Sequence, residues 1–98
     1  MTYVALFTWR ANLSEERRIN GFSRRHGYQY PASMKVLAEY WPASPGAAAI
    51  VLGFEAESFE PIMQLTIDWQ DLFDVTVYPA ITPEAGFAMG EKLMQSAA

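Results

Sequence analysis

The sequence predicts an α+β fold: a ferredoxin-like βαββαβ domain with a four-stranded antiparallel sheet and an extra C-terminal helix. Three observations carry that prediction. Four apolar runs rich in β-branched and aromatic residues lie at 2–9, 34–41, 47–56 and 73–79. The first and last gaps between them hold segments with helical periodicity, whereas the middle gap holds only the turn cluster PASPG at 42–46. Right-handed crossovers then place both helices on one face of the sheet.

The elements follow in order. TYVALFTW (Thr2–Trp9) has no breaker and is apolar at both parities. Tyr3, Ala5, Phe7 and Trp9 share one face, and Val4 and Leu6 the other, as in a strand covered on both sides. In the segment that follows, Asn12 or Ser14 can cap a helix, and Glu15 and Glu16 suit its positive end. Ile19, Phe22 and His26 fall on one stripe, expected to face the sheet. Arg17, Arg18, Arg24 and Arg25 fall opposite, expected on a solvated face. Gly27 fits a helix C′ position, and Tyr28–Pro31 then reads as a loop.

Met34–Trp41 is the second strand, at the sheet edge, and forms a hairpin with Ala47–Ala56, the third. Ser58 is expected to cap the second helix, with Pro61 in its first turn. Phe59, Ile62, Met63, Thr66, Trp69 and Phe73 form its core-facing stripe. FDVTVYP (Phe73–Pro79) alternates cleanly as the fourth strand, where Pro79 fits an edge or strand end. Thr82-Pro83-Glu84 starts a weak final helix, interrupted by Gly86 and Gly90. One domain covers 1–98, with a core at 2–82 and a helical tail at 83–98.

Composition narrows the function classes. The chain has 98 residues, of which 51% are hydrophobic and 14% aromatic, more apolar material than so short a monomer easily hides. The excess points to a partner surface or a ligand pocket. A formal net charge of −4 argues against nucleic acid as a partner. No apolar run is long enough for a membrane span, and MTYVALFTWR lacks the basic region of a signal peptide. Cysteine is absent, which removes disulfides and thiolate chemistry and makes the cytoplasm the default location. One histidine without cysteine does not make a usual zinc or copper site, and no G-x-S-x-G elbow or phosphate loop is present, so no cofactor is implied. AAAIVLGFEA lacks the basic and aromatic pattern of the RNA-recognition modules that share this fold.

TYVALFTWR, MKVLAEYW and DWQDLFDVTVYPAIT together resemble a family of small uncharacterised proteins in the dimeric α/β-barrel superfamily, over most of residues 1–82. The resemblance implies the fold but no activity, because the superfamily spans cofactor-free monooxygenases, muconolactone-type isomerases, haem-degrading enzymes, stress-response barrels and ligand-binding regulators. Its members commonly hold small ligands between sheet and helices. The predicted topology independently leaves one apolar sheet face uncovered, which a symmetric partner would cover.

Six residues are candidates for a ligand site. His26 is the one side chain with an ordinary pKa near neutrality, and it is a candidate acid or base or a plain helix-end histidine. Glu39 shares the parity of Lys35, Leu37 and Trp41. It orients His26, or acts as a base with a raised pKa, or is an edge-strand charge that discourages sheet-to-sheet aggregation. Trp9, Trp41 and Trp69 would line an aromatic pocket or simply pack. Arg10 would pair an anionic ligand or lie solvated. Outside these six, Tyr40 and Tyr78 would donate to a ligand or contact a second subunit. The leading expectation is a homodimer holding a small apolar or aromatic molecule. The alternatives are a cofactor-independent monooxygenase or isomerase acting on an aromatic or polyketide-like substrate, with His26 and Glu39 catalytic, and a structural dimerisation module.

Overall fold

The computed structural model describes residues 1–44 and 46–97, so Pro45 of the turn cluster and Ala98 of the tail lie outside the described residues. The elements are β1 (Thr2–Trp9), α1 (Glu15–Gly27), β2 (Met34–Tyr40), β3 (Ile50–Ala56), α2 (Glu60–Trp69), β4 (Phe73–Ala80) and α3 (Pro83–Ala97). The strands form one sheet in the order β2-β3-β1-β4, every neighbour antiparallel. This is the ferredoxin-like arrangement, with β2 and β4 at the edges.

The sheet register decides which side chains meet the helices. Ala5 and Phe7 of β1 are buried, and so are Ile50, Leu52, Phe54 and Ala56 of β3. They join Ile62, Leu65 and Trp69 of α2 in one core, each large side chain contributing about 1.5–3 kcal/mol by leaving water. The even positions of β1, Val4 and Leu6, occupy the outer sheet face and remain half-buried without helical cover. Val51 and Gly53 of β3 adjoin them, and Tyr40 and Tyr78 flank them on the edge strands, 68% and 52% exposed.

Strand β2 departs from simple alternation. Val36 pairs with Phe54, but the next pair is Ala38 with Gly53, so Leu37 is an extra residue in a bulge. Side chains before and after it therefore change faces. Lys35 lies on the outer face opposite Glu55, whereas Glu39 lies opposite buried Leu52 on the inner face. The shared parity expected for Lys35 and Glu39 is broken by this one residue.

Helix α1 is rotated from its expected orientation. Ser14 caps it, its hydroxyl accepting from Arg17 N at 3.2 Å. Ile19, Phe22 and His26 are exposed, and the residue buried against the body is Gly21. The arginine side lies toward the body instead, with Arg17, Arg18 and Arg24 still exposed, as expected, and Arg25 half-buried. Guanidinium planes stack on aromatic rings while their stems cover apolar surface, so arginine can replace aliphatic residues on such a face. Arg18 lies 5.5 Å from the Trp9 ring centre, Arg24 4.5 Å from that of Trp69, and Arg25 4.9 Å from that of Tyr30. Gly27 is the last helical residue, and extended Tyr28 forms the C-cap with no left-handed residue.

Helix α2 starts without a side-chain cap, with Phe59 rather than Ser58 at the N-cap. Pro61, Ile62, Leu65 and Trp69 are its buried residues. Phe59 and Met63 are exposed, because the inward stripe is centred on Leu65, and Phe73 belongs to β4. Helix α3 contributes nothing to the core cluster. Among the described residues no helix is long and apolar enough to cross a membrane.

Candidate functional site

The C-terminal ends of β1 and β2 and the starts of β3 and β4 converge at one end of the sheet. Helix α1 crosses above them and leaves a cleft of about 240 Å³. Its sheet wall is Trp9, Phe73 and Ile50, and its helix wall is Gly21, Phe22 and Arg25. Trp41 and Pro42, just past β2, form the rim.

Aromatic packing fixes the walls. Trp9 stacks on Phe73 with ring centres 4.3 Å apart and planes 28° from parallel. Phe22 meets Trp41 edge to face at 5.7 Å, so the rim couples α1 to the end of β2. Gly21 sits where α1 comes closest to the sheet. A Cβ there would lie 2.7 Å from Leu72 Cδ1 and 3.5 Å from the Trp9 ring, so any larger residue at this approach requires the Leu72 side chain to shift.

Behind the helix wall lies a polar cluster centred on Glu39. Arg25 Nε donates to Glu39 Oε2 at 3.0 Å, and Arg25 Nη2 donates to Oε1. Tyr30 OH donates to Oε1 at 2.6 Å, and Trp41 Nε1 to Oε2 at 2.8 Å. Burial alone would raise the Glu39 pKa. The hydrogen bonds from Arg25, Tyr30 and Trp41 outweigh it and hold the carboxyl at about 2. The hydrogen bond to Glu39 raises the Arg25 pKa above its ordinary value. Burial, reinforced by the Glu39 carboxylate, pushes the Tyr30 phenol well above its ordinary range. Glu39 is thus an ionised counter-charge with three donors, poorly suited to taking a proton near neutrality.

The six sequence candidates separate. Trp9 and Trp41 line the cleft, and Glu39 holds two of its lining residues, Arg25 and Trp41. His26 is on the exposed side of α1 and makes no hydrogen bond to Glu39, whose donors are Arg25, Tyr30 and Trp41. Trp69 is a core residue, edge-on to Tyr28 at 5.1 Å and to Phe73 at 5.8 Å. Arg10 is engaged by its own neighbours, its Nε donating to Gln70 O and its Nη1 lying 3.5 Å from Asp74 Oδ1. Among the described residues no three His, Asp or Glu side chains gather as a metal site.

The residues that sequence reading missed are Arg25, Tyr30, Gly21 and Phe22. Two signals pointed to the first pair. A lone carboxylate in an apolar strand needs a cation, and four of the chain's seven Lys and Arg residues lie on α1. Tyr28 and Tyr30 are two apart in an extended segment, the spacing that puts both on one side. They meet edge to face at 5.3 Å, and Tyr28 OH donates to Asp68 at 2.7 Å.

Fold and cleft together define a ferredoxin-like α+β domain with an aromatic slot between its first helix and its sheet. The chain belongs to the family described as domain of unknown function DUF3303, whose model matches residues 1–94. No curated protein and no solved structure matches it.

Proposed function

We propose that this protein is a cytosolic homodimer that binds a small, largely apolar or aromatic molecule in the cleft between α1 and the sheet, without a cofactor. The observation that carries the reading is the slot itself. Trp9, Phe73, Phe22 and Trp41 supply stacking surfaces around about 240 Å³, and Arg25 supplies the polar anchor. Small-molecule sites combine these features: an apolar concavity with a few placed polar groups. Arg25 Nη1 makes none of the bonds to Glu39 and none to another described residue, so it is the donor offered to a ligand oxygen.

Binding is favoured over the cofactor-independent oxygenase or isomerase reading. The exposure of His26 and the ionisation of Glu39 leave neither suited to proton transfer in the cleft. Dimerisation through the sheets is supported by the outer face, where Val4, Leu6, Val51 and Gly53 form an apolar centre without helical cover.

A thermal-shift series with planar aromatic compounds tests the binding reading. Saturating ligand is expected to raise Tm in the native chain, and Trp41→Ala and Phe22→Ala are expected to remove the rise. Flat responses across the series would leave the structural dimerisation module as the better account.

A further inference from the structure

Helix α3 carries an apolar stripe that nothing among the described residues covers. Phe87, Gly90, Leu93 and Met94 share one side, with Lys92, Gln95 and Ser96 opposite. Phe87 is 78% exposed and Met94 74%. The polar bonds at the helix start are local: Thr82 O accepts from Gly86 N, and Thr82 Oγ1 from Ala85 N. Gly86 and Gly90 leave a depression of about 390 Å³ flanked by Phe87 and Met94. The molecule measures 58 × 31 × 17 Å. Strands of eight residues span only about 27 Å, and α3 adds roughly 22 Å, so the helix accounts for the long dimension. An isolated helix of this length is marginal in water, and two internal glycines weaken it further.

We propose that α3 clasps a second copy of this chain, its Phe87–Met94 stripe closing over an edge of the partner's outer sheet face. The inference rests on the homodimer reading above and names the element that completes that interface. Area is the first argument. Four strands about 4.8 Å apart and about 25 Å long present a projected footprint of roughly 500 Å². The face of α3, roughly 22 by 10 Å, would enlarge that contact footprint by almost half, toward the size of a stable interface. Shape is the second argument. The outer face carries Tyr40 and Tyr78 at its two edges, and the depression lined by Gly86, Phe87, Gly90, Glu91 and Met94 has the volume to take a tyrosine ring, with Glu91 beside it to accept from the phenol. Charge is the third. Glu84 and Glu91 border the stripe and Lys92 is the helix's one cation among the described residues, the reverse of a helix that lies on an anionic lipid surface.

Sedimentation equilibrium on the full chain, Phe87→Glu and Met94→Glu tests the clasp. The native chain is expected to dimerise at micromolar concentration, and each variant to raise the dimer Kd roughly tenfold or more with its circular dichroism unchanged. The chain contains no cysteine, so cross-linking reads the same contact independently. Leu93→Cys protein mixed with Tyr40→Cys or Tyr78→Cys protein is expected to form a mixed disulfide in one of the two pairings. Native dimer Kd in both glutamate variants, with no mixed disulfide, overturns the clasp and leaves the sheet-face dimer standing. A native chain that stays monomeric overturns the dimer and the clasp together.

Discussion

Arg25 and Glu39 face each other across the α1–β2 contact because Leu37 is one residue too many. Without that bulge, Glu39 would share the outer face with Lys35; with it, the carboxylate turns inward and receives Arg25 Nε at 3.0 Å. Their side chains are only 21% and 15% exposed, so each is the other's main compensation for leaving water. The pair also holds Arg25 at the cleft wall, and Trp41 Nε1 extends the same network to the rim.

Breaking that pair from one side is expected to be costly. Glu39→Leu leaves a partly buried guanidinium without its anion and is expected to destabilise the domain by about 2–3 kcal/mol. Arg25→Met with Glu39→Leu should recover much of this loss. A double-mutant cycle in urea reads the coupling, and additive single effects would show that the pair is energetically idle.

Acid should weaken the fold through the same carboxylate. The folded Glu39 pKa, about 2, lies below its ordinary value of 4.5. Above pH 4.5 the group is ionised in both states and its full stabilisation is present. Between 4.5 and 2 the unfolded chain binds the proton and the folded chain does not, so stability falls as pH falls. The expected loss is about 1–2 kcal/mol after solvent screening. Urea midpoints measured down this range should drop more steeply for the native chain than for Glu39→Gln; parallel curves would assign the acid sensitivity to other groups.

Gly21→Ala sets two effects against each other. Alanine favours the helix by about 1 kcal/mol. Its methyl would lie 2.7 Å from Leu72 Cδ1, a core side chain held by its neighbours. Overpacking of this kind costs about 1–3 kcal/mol, so net destabilisation is expected. A Tm at or above the native value would show that α1 can lift from the sheet freely.

His26→Ala is expected to change stability by less than about 0.5 kcal/mol, because the side chain is exposed and outside the polar cluster. Ligand-induced Tm shifts should be unaltered as well. A lost shift in this variant would return His26 to the site.

The strands, both core helices and the αβ order were legible because each depends on local pattern. Alternating residues in FDVTVYP and the unbroken run TYVALFTW specify their own conformation, and Ser14 caps α1 through a contact three residues away. The candidate site was legible in part. Trp9 and Trp41 stand at strand ends that the topology brings together, and Glu39 was conspicuous as a charge in an apolar strand. His26 was misplaced because hydropathy ranks arginine as a surface residue, whereas Trp9, Trp69 and Tyr30 offer ring faces on which three guanidinium groups rest, two of them still exposed.

By itself the sequence determined the element order, the edge position of β2 and the apolar character of β1, β3 and α2. Only the tertiary structure decided which side of α1 faces the sheet, where β2 slips register, and that Arg25 rather than His26 meets Glu39. The physical reason is range. Helical and strand periodicity are properties of neighbours in the chain, whereas a bulge, a ring stacked under a guanidinium and a cleft exist only once distant segments are in contact.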